Sequence, residues 1–400
     1  MEIRWSATDA TPQIIDKASI SGAYEELSKA KIPLESVPAD AWPTASVVQA
    51  GPGAAAAPVF AASLFRFGDG KAVGLCVQAH HNTMDGFGFA ELMNLWSRCT
   101  NEPSSQTSSF ISSSNRSSRI ADALRKSVDV GSNDAATIPS ADDIFEKHPE
   151  YSKLPPQMPA EFASCTSEIL TMPMDKIAAF KESMKPYLAT TPSTNTVACT
   201  LLWSAITRAR IQRTPDLADK TSRLPMAVNG RKRLDAALVD HEDPYLGNVV
   251  LFSLAEMAAR DVSNCGTGIS AALLADACRL VAQAQSPERI DAGHIGEVCS
   301  LVEKVEDYRR IFPGWELFGS RDLFITSWAD LDFYDFDFGD GLGKPRFVRI
   351  PYAQADGNVI ILPRNRSVTE TVSSHGLEVV VMLQRTDLKM LKEDSLWEEL

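Results

Sequence analysis

Two adjacent histidines, His80 and His81, are followed by Asp85 and Gly86 in the run HHNTMDG. An imidazole offered to a ligand can take a proton from a hydroxyl or an amine, so a general base is one chemistry this spacing allows. Asp85 is near enough in sequence to fix the turn that presents the ring, and Gly86 lets the backbone turn there. Taken alone, His-x-x-x-Asp-Gly has an equally good structural account. In that account the histidine is satisfied at a strand end, Asp85 is a helix N-cap and Gly86 serves a turn.

The elements that must position these residues lie on either side. Ala72 to Ala79 is a near-continuous apolar run, which predicts a strand buried on both faces. Phe89, Leu92, Met93 and Trp96 then recur at helical spacing. Upstream, Val59 to Phe67 reads as an extended segment, and the intervening Gly68-Asp69-Gly70 predicts a hairpin. A short strand at Glu2 to Trp5 and a helix near Ala23 to Ala30 are expected before it.

After Trp96 the composition changes. Residues 101–119 are dominated by serine and show no apolar face, and Pro149, Pro155, Pro156 and Pro159 follow. Residues 103–160 therefore predict a loop-like crossover between an N-terminal domain (1–102) and a C-terminal one (161–400). Beyond it, strands are expected at 166–171, 224–228, 248–254, 323–328, 359–362 and 377–383. Helices are expected at 174–184, 267–284, 287–310 and 386–392, with Pro287 and Glu288 opening the third. Ser193 or Thr194 can cap a further helix that ends near Arg208 and Arg210. Strands and helices mixed in two blocks place the fold in the α/β (α+β) class.

The totals narrow the function. Four hundred residues exceed one ordinary core. A formal net charge of −13 argues against a general nucleic-acid or anionic-membrane binder. The seven cysteines are scattered and never form a C-x-x-C pair, so reduced thiols are expected, with neither a disulfide framework nor a metal site. The first thirty residues hold no apolar core of signal-peptide type and no stretch is long enough to span a membrane, so the expected location is cytoplasmic.

A second motif, DFGDGLGKP, runs from Asp337 to Pro345. Its glycines lack the strand-then-helix setting of a dinucleotide fingerprint, and no Gly-Lys-Ser or Gly-Lys-Thr makes a phosphate loop. A tight structural loop built on glycine conformations is the expectation.

In this order, HHNTMDG and DFGDGLGKP resemble the signature pair of the BAHD acyltransferases, a CoA-dependent family. STNTVACTLLWSAITRAR, VNGRKRL, PYLGNVV, TSW and GLEVVVMLQRTDLKML fit the same family at corresponding places, so the resemblance runs from about residue 59 to the end. The spacer in the second motif resembles the fungal branch that includes trichothecene O-acetyltransferases. The resemblance implies two similarly built chloramphenicol-acetyltransferase-like domains joined by a long crossover, with an active-site channel at their interface. It implies His81 as the general base that lets a hydroxyl of a small secondary metabolite attack acyl-CoA, most often acetyl-CoA, within a ternary complex.

On the same resemblance, Asp85 is scaffold held by an arginine, and Trp328 with Thr326 donates to the oxyanion. Gly86, Asp337 and Gly339 are structural. Arg231, Lys232 and Arg233 are candidates for the CoA phosphates, against the plainer reading of a solvated cluster, and Ser193 and Thr194 are candidate CoA contacts. The implied partners are acyl-CoA as co-substrate and a small-molecule acceptor, with no bound cofactor, no metal, no nucleic acid and a monomeric chain. Only eighty residues precede His81, fewer than family members carry, so the resemblance implies an incomplete first domain. A carrier-protein-dependent condensation domain and a truncated, non-catalytic ligand binder are the alternative readings.

Overall fold

The computed structural model describes residues 12–44, 58–102, 116–131, 139–240, 242–265, 270–316, 318–366, 376–395 and 397. The chain divides into two compact units: Met1–Gln106 with Leu246–Asn248 and Asp332–Tyr352, and Thr107–Tyr245 with Val249–Leu331 and Ala353–Leu400.

In the first unit the hairpin forms as its sequence predicts. Strand β1 (Ile14–Ser19) and helix α1 (Tyr24–Lys29) precede it, and β2 (Phe60–Arg66), β3 (Val73–Ala79) and α2 (Gly86–Asn101) follow. The sheet order is β1-β2-β3, with β1 parallel and β3 antiparallel to β2. Gly74 faces Phe65 across the hairpin, and a Cβ at Gly74 would lie 2.1 Å from that ring, so the glycine makes room for the phenyl group. Phe65 then packs with Ile20, Phe67 and Cys76, and with Tyr24, Trp42 and Phe347, to form the unit's core.

The second unit opens with α3 (Arg116–Gly131), α4 (Ala141–Lys147), β4 (Tyr151–Ser152), β5 (Cys165–Pro173), α5 (Met174–Met184) and α6 (Thr194–Arg213). It continues through β6 (Thr221–Asn229), α7 (Arg231–Leu234), β7 (Val250–Ala258), α8 (Ala259–Ser263), α9 (Ala271–Ala284) and α10 (Ala292–Lys304). It closes with β8 (Phe312–Pro313), β9 (Phe324–Ser327), β10 (Asn358–Ile361), β11 (Gly376–Gln384) and α11 (Arg385–Lys392). Six strands form one sheet in the order β5-β11-β10-β9-β6-β7, and β4 pairs with β8 in a separate ribbon. Helix α6 is buried nearly throughout, with Val197, Leu201, Leu202, Trp203 and Ile206 inside the core beside Met226, Ile325, Val359 and Val381. Burial all round, not an amphipathic stripe, is what its mostly apolar first half encodes. The Trp203 indole donates to Ser222 Oγ at 2.8 Å, satisfying its one polar atom.

Several expectations are corrected. Strand β3 is only half-buried, with Cys76 its one buried residue, because among the described residues it pairs with β2 alone. The crossover holds helices α3 and α4 instead of a plain loop: Ala123 is buried on one face of α3, and Ser140 with Asp143 forms a capping box that starts α4. Residues 103–115, the bulk of the serine-rich run, and Glu2 to Trp5 lie outside the described residues. Helix α10 starts after Asp291, whose side chain accepts from His294 N, so Pro287 and Glu288 sit in the preceding turn. Strand β1 escaped the sequence reading because its side chains are mostly exposed and carry no alternation. The glycine-rich motif at 337–345 lies in the stretch Asp332–Tyr352, which clusters with the first unit.

Candidate active site

At the end of β3 the two histidines have different duties. His80 N donates to Val59 O at 2.8 Å, extending the hairpin, and its carbonyl accepts from Thr83 N at 2.8 Å and Thr83 Oγ1 at 2.6 Å. His80 Nδ1 accepts from Asn82 N at 3.2 Å. His80 is therefore spent on the turn. His81 is exposed, its carbonyl accepts from Asn248 Nδ2 at 2.9 Å, and among the described residues its ring makes no hydrogen bond. Both the backbone and the chain on either side of this imidazole are held while its nitrogens stay accessible.

Asp85 is 5% exposed and its Oδ1 accepts from Gly88 N at 2.9 Å, which makes it the N-cap of α2. A cap of this kind stabilises a helix by about 1 kcal/mol. Gly86 is the first residue of that helix and does not take a left-handed conformation, so the turn expected of it is not where its freedom is used. The far end of α2 meets the second motif. Gly339 N donates to Asp337 Oδ1 at 2.9 Å and Gly343 N to Gly339 O at 2.7 Å, closing a loop in which Gly339 has φ +82°. A Cβ on Gly339 would stand 3.3 Å from the Asn101 Cα. Phe338 meets Trp96 edge to face at 6.4 Å, and Trp96 meets Phe60 of β2 at 5.8 Å. One helix, capped by the first motif and pinned by the second, joins the two.

The remaining candidates belong to the second unit. Thr326 lies on β9 opposite Ile360, and Trp328 follows directly, its backbone N–H on Ile361 O at 2.8 Å. Both side chains are half-buried. Ser193 Oγ accepts from Thr196 N at 3.0 Å and caps α6, and Thr194 Oγ1 accepts from Lys181 Nζ at 2.8 Å. Lys181 and Lys185 line a cavity of about 170 Å³ with Leu188 and Pro192.

The basic cluster is not a phosphate cradle as a whole. Arg231 is 1% exposed and donates to Tyr245 O at 3.0 Å and Asn229 Oδ1 at 3.2 Å. Arg233 donates to Gln285 O, Ile290 O and Ser286 O at 2.7, 3.0 and 3.1 Å. Only Lys232 of the three is exposed. Sequence reasoning missed Asn248 and Lys181. The one signal for the first was a polar residue just before a strand, and for the second a basic residue on the helix preceding Ser193.

Comparison with known proteins adds to this geometry. A family described as the Transferase family matches residues 38–397. The trichothecene 8-O-acetyltransferase of Fusarium sporotrichioides is 29% identical over 350 residues, which are 81% of this chain and 68% of that protein. The O-acetyltransferase ptmV of Penicillium ochrochloron is 24% identical over 381 residues, 85% of this chain and 71% of that one. Among solved structures, TRI101 of F. sporotrichioides, complexed with coenzyme A and T-2, superimposes with a TM-score of 0.74 at 18% identity, over 97% of this chain and 81% of that one. That likeness shows a shared α/β fold.

Proposed function

We propose, since the chain belongs to the transferase family of BAHD acyltransferases, that it transfers an acetyl group from acetyl-CoA to a hydroxyl of a small secondary metabolite. The observation that carries the reading is His81: an accessible imidazole at a strand end, its backbone fixed by Asn248 and the next helix capped by Asp85. Relatives of this chain named as fungal O-acetyltransferases supply the reaction class, and the coenzyme A held by a structural neighbour supplies the donor class.

In this reading His81 takes the proton of the acceptor hydroxyl as its oxygen bonds to the thioester carbonyl carbon. The negative charge on the tetrahedral carbonyl oxygen is met by the Trp328 indole and Thr326 hydroxyl, assigned by resemblance. Collapse breaks the C–S bond, and the imidazolium returns the proton to the departing thiolate. The thioester is already activated, so transfer is direct in a ternary complex and no serine or cysteine nucleophile takes part. Ser193, Thr194 and Lys232 remain the CoA-side candidates, now joined by Lys181 through its bond to Thr194. Arg231 and Arg233 pass to a scaffold role. Asp337 and Gly339 fix the loop that anchors α2. The chain works as a cytoplasmic monomer. Among the described residues no helix is long and apolar enough to cross a membrane.

The test is release of free CoA thiol on mixing the purified chain with acetyl-CoA and a panel of hydroxylated natural products, with no carrier protein added. His81→Ala should lower turnover by roughly 10²–10⁴-fold while leaving circular dichroism and CoA binding unchanged. Turnover unaffected by that substitution overturns the role of His81, and transfer only from a carrier-bound acyl group overturns the donor.

A further inference from the structure

Away from every residue used above, the second unit brings together His148, Glu150 and His294, the outer two 146 positions apart in the sequence. His148 follows the last residue of α4, Glu150 precedes β4, and His294 lies in the first turn of α10. His148 Nδ1 stands 3.4 Å and His294 Nε2 3.3 Å from the same Glu150 Oε1. All three groups are at least nine-tenths buried: 3% of the His148 side chain is exposed, 7% of Glu150 and 10% of His294. Yet neither Glu150 Oε1 nor His294 Nε2 has a hydrogen-bond partner. Buried polar atoms left unsatisfied at such close range are costly, and here one potential ligand atom from each of the three residues lies within 4.8 Å of the others.

We propose that this cluster is a site for a divalent transition-metal ion of the zinc type, bound by His148 Nδ1, His294 Nε2 and Glu150 Oε1. Tetrahedral zinc with bonds of about 2.0–2.1 Å sets neighbouring ligand atoms roughly 3.3–3.4 Å apart, which is the spacing of both nitrogens from the carboxylate oxygen. Two imidazoles and one carboxylate are a donor set that suits zinc and its first-row neighbours.

The surroundings are those of a built site. His148 Nε2 lies 2.8 Å from Glu297 Oε2, so its N–H is directed to that carboxylate and the Nδ1 lone pair is left for the metal. Glu297 is itself held by Lys147 Nζ at 2.6 Å and shares a face of α10 with His294, three residues away. Asp291 Oδ1 accepts from His294 N at 2.7 Å, fixing the backbone of that ligand. Gly314 N donates to Glu150 O at 2.9 Å, and a Cβ on Gly314 would lie 1.8 Å from Pro149 O, so only glycine lets the β8 ribbon close over the His-Pro-Glu segment. All three residues line a cavity of about 310 Å³ that Phe252 and Arg289 also line, which leaves room for a water as a fourth ligand. The ion clamps the segment between α4 and β4 to the start of α10. The sequence carried one signal for it, His-x-Glu at 148–150, which a reading tuned to paired cysteines passes over.

The experiment is titration of zinc sulfate into the full chain after chelator treatment, followed by calorimetry, with Co²⁺ as a spectroscopic stand-in. Wild type should bind one Zn²⁺ per chain, gain in Tm with added zinc and give the visible bands of four-coordinate Co²⁺. His294→Ala and Glu150→Gln should weaken binding more than about 100-fold, and Glu297→Gln about 10–100-fold. X-ray absorption of the zinc-loaded wild type needs no variant and should show imidazole scattering. Absence of saturable binding, equal affinity in His294→Ala, or a first shell without imidazole overturns the proposal and leaves a proton-sharing His–Glu–His cluster.

Discussion

The side-chain amide of Asn248 donates to the backbone carbonyl of His81 at 2.9 Å, across 167 residues of sequence. A carbonyl held from outside its own turn fixes the peptide on which the imidazole sits. The bond is exposed, so its removal should barely alter stability, and one neutral hydrogen bond contributes about 1 kcal/mol. Asn248→Ala is therefore expected to lower kcat/KM about fivefold, chiefly through kcat, with Tm unchanged. Steady-state kinetics beside a thermal melt would check this, and a fall in Tm without a change in kcat would assign Asn248 to the fold alone.

The glycine loop should matter for stability and not for chemistry. Gly339 combines φ +82° with a Cβ position 3.3 Å from the Asn101 backbone, so Gly339→Ala meets both conformational strain and a close approach. A left-handed conformation costs an L-residue roughly 1–2 kcal/mol. Phe338→Ala removes the ring that pins Trp96 and should cost about 3–5 kcal/mol. Chemical denaturation should register both losses, while kcat per folded molecule changes little. A large loss of kcat in a fully folded Gly339→Ala protein would refute the purely structural role.

Much of this arrangement could be read from the chain. Helix α5, the hairpin of β2 and β3, the cap at Ser193 and the strands from β9 onward follow from local apolar periodicity and turn residues, which act over a few positions. What the sequence hid depends on distant partners. Arg231 looks like a free cation until its guanidinium is seen on the Tyr245 carbonyl, and Asn248 looks like a strand flank until His81 is beside it. Strand β1 shows no alternation because most of its side chains face solvent. Helix α3 was masked by the serines before it, although Ile120, Ala123 and Leu124 supply its apolar face.

The cysteines give a third test. All seven are free. Burial pushes the thiols of Cys199 and Cys265 up to about 12 and those of Cys76 and Cys278 up to about 11. The thiolate is the nucleophile, so at neutral pH these four should resist alkylation in the folded chain and react only after unfolding. Mass spectrometry of iodoacetamide-treated native and urea-unfolded protein would show the difference. Rapid native labelling of Cys199, which lies inside α6, would contradict the packing of the second core.

Acid stability should depend on Asp356. Burial by itself would raise the pKa of this carboxyl, but the Arg210 charge and hydrogen bonds from Ser320, Gln384 and Arg210 outweigh it, and the group sits below its ordinary value of 3.8. Arg210 is 2% exposed, and its guanidinium also donates to Asp322 O at 2.9 Å, so the pair ties α6 to the chain flanking β9 and β10. A carboxyl whose pKa is lower in the folded state binds its proton more tightly when unfolded. Its contribution is complete at pH above the unfolded value and is lost as pH falls through the folded one. Asp356→Asn should cost about 3 kcal/mol at pH 7 by leaving Arg210 poorly compensated, and it should flatten the acid limb of the stability curve below pH 3.8. Urea unfolding at a series of pH values measures both, with the slope giving the difference in bound protons between the unfolded and folded states. An acid limb equally steep in wild type and Asp356→Asn would show that other carboxylates govern the acid transition.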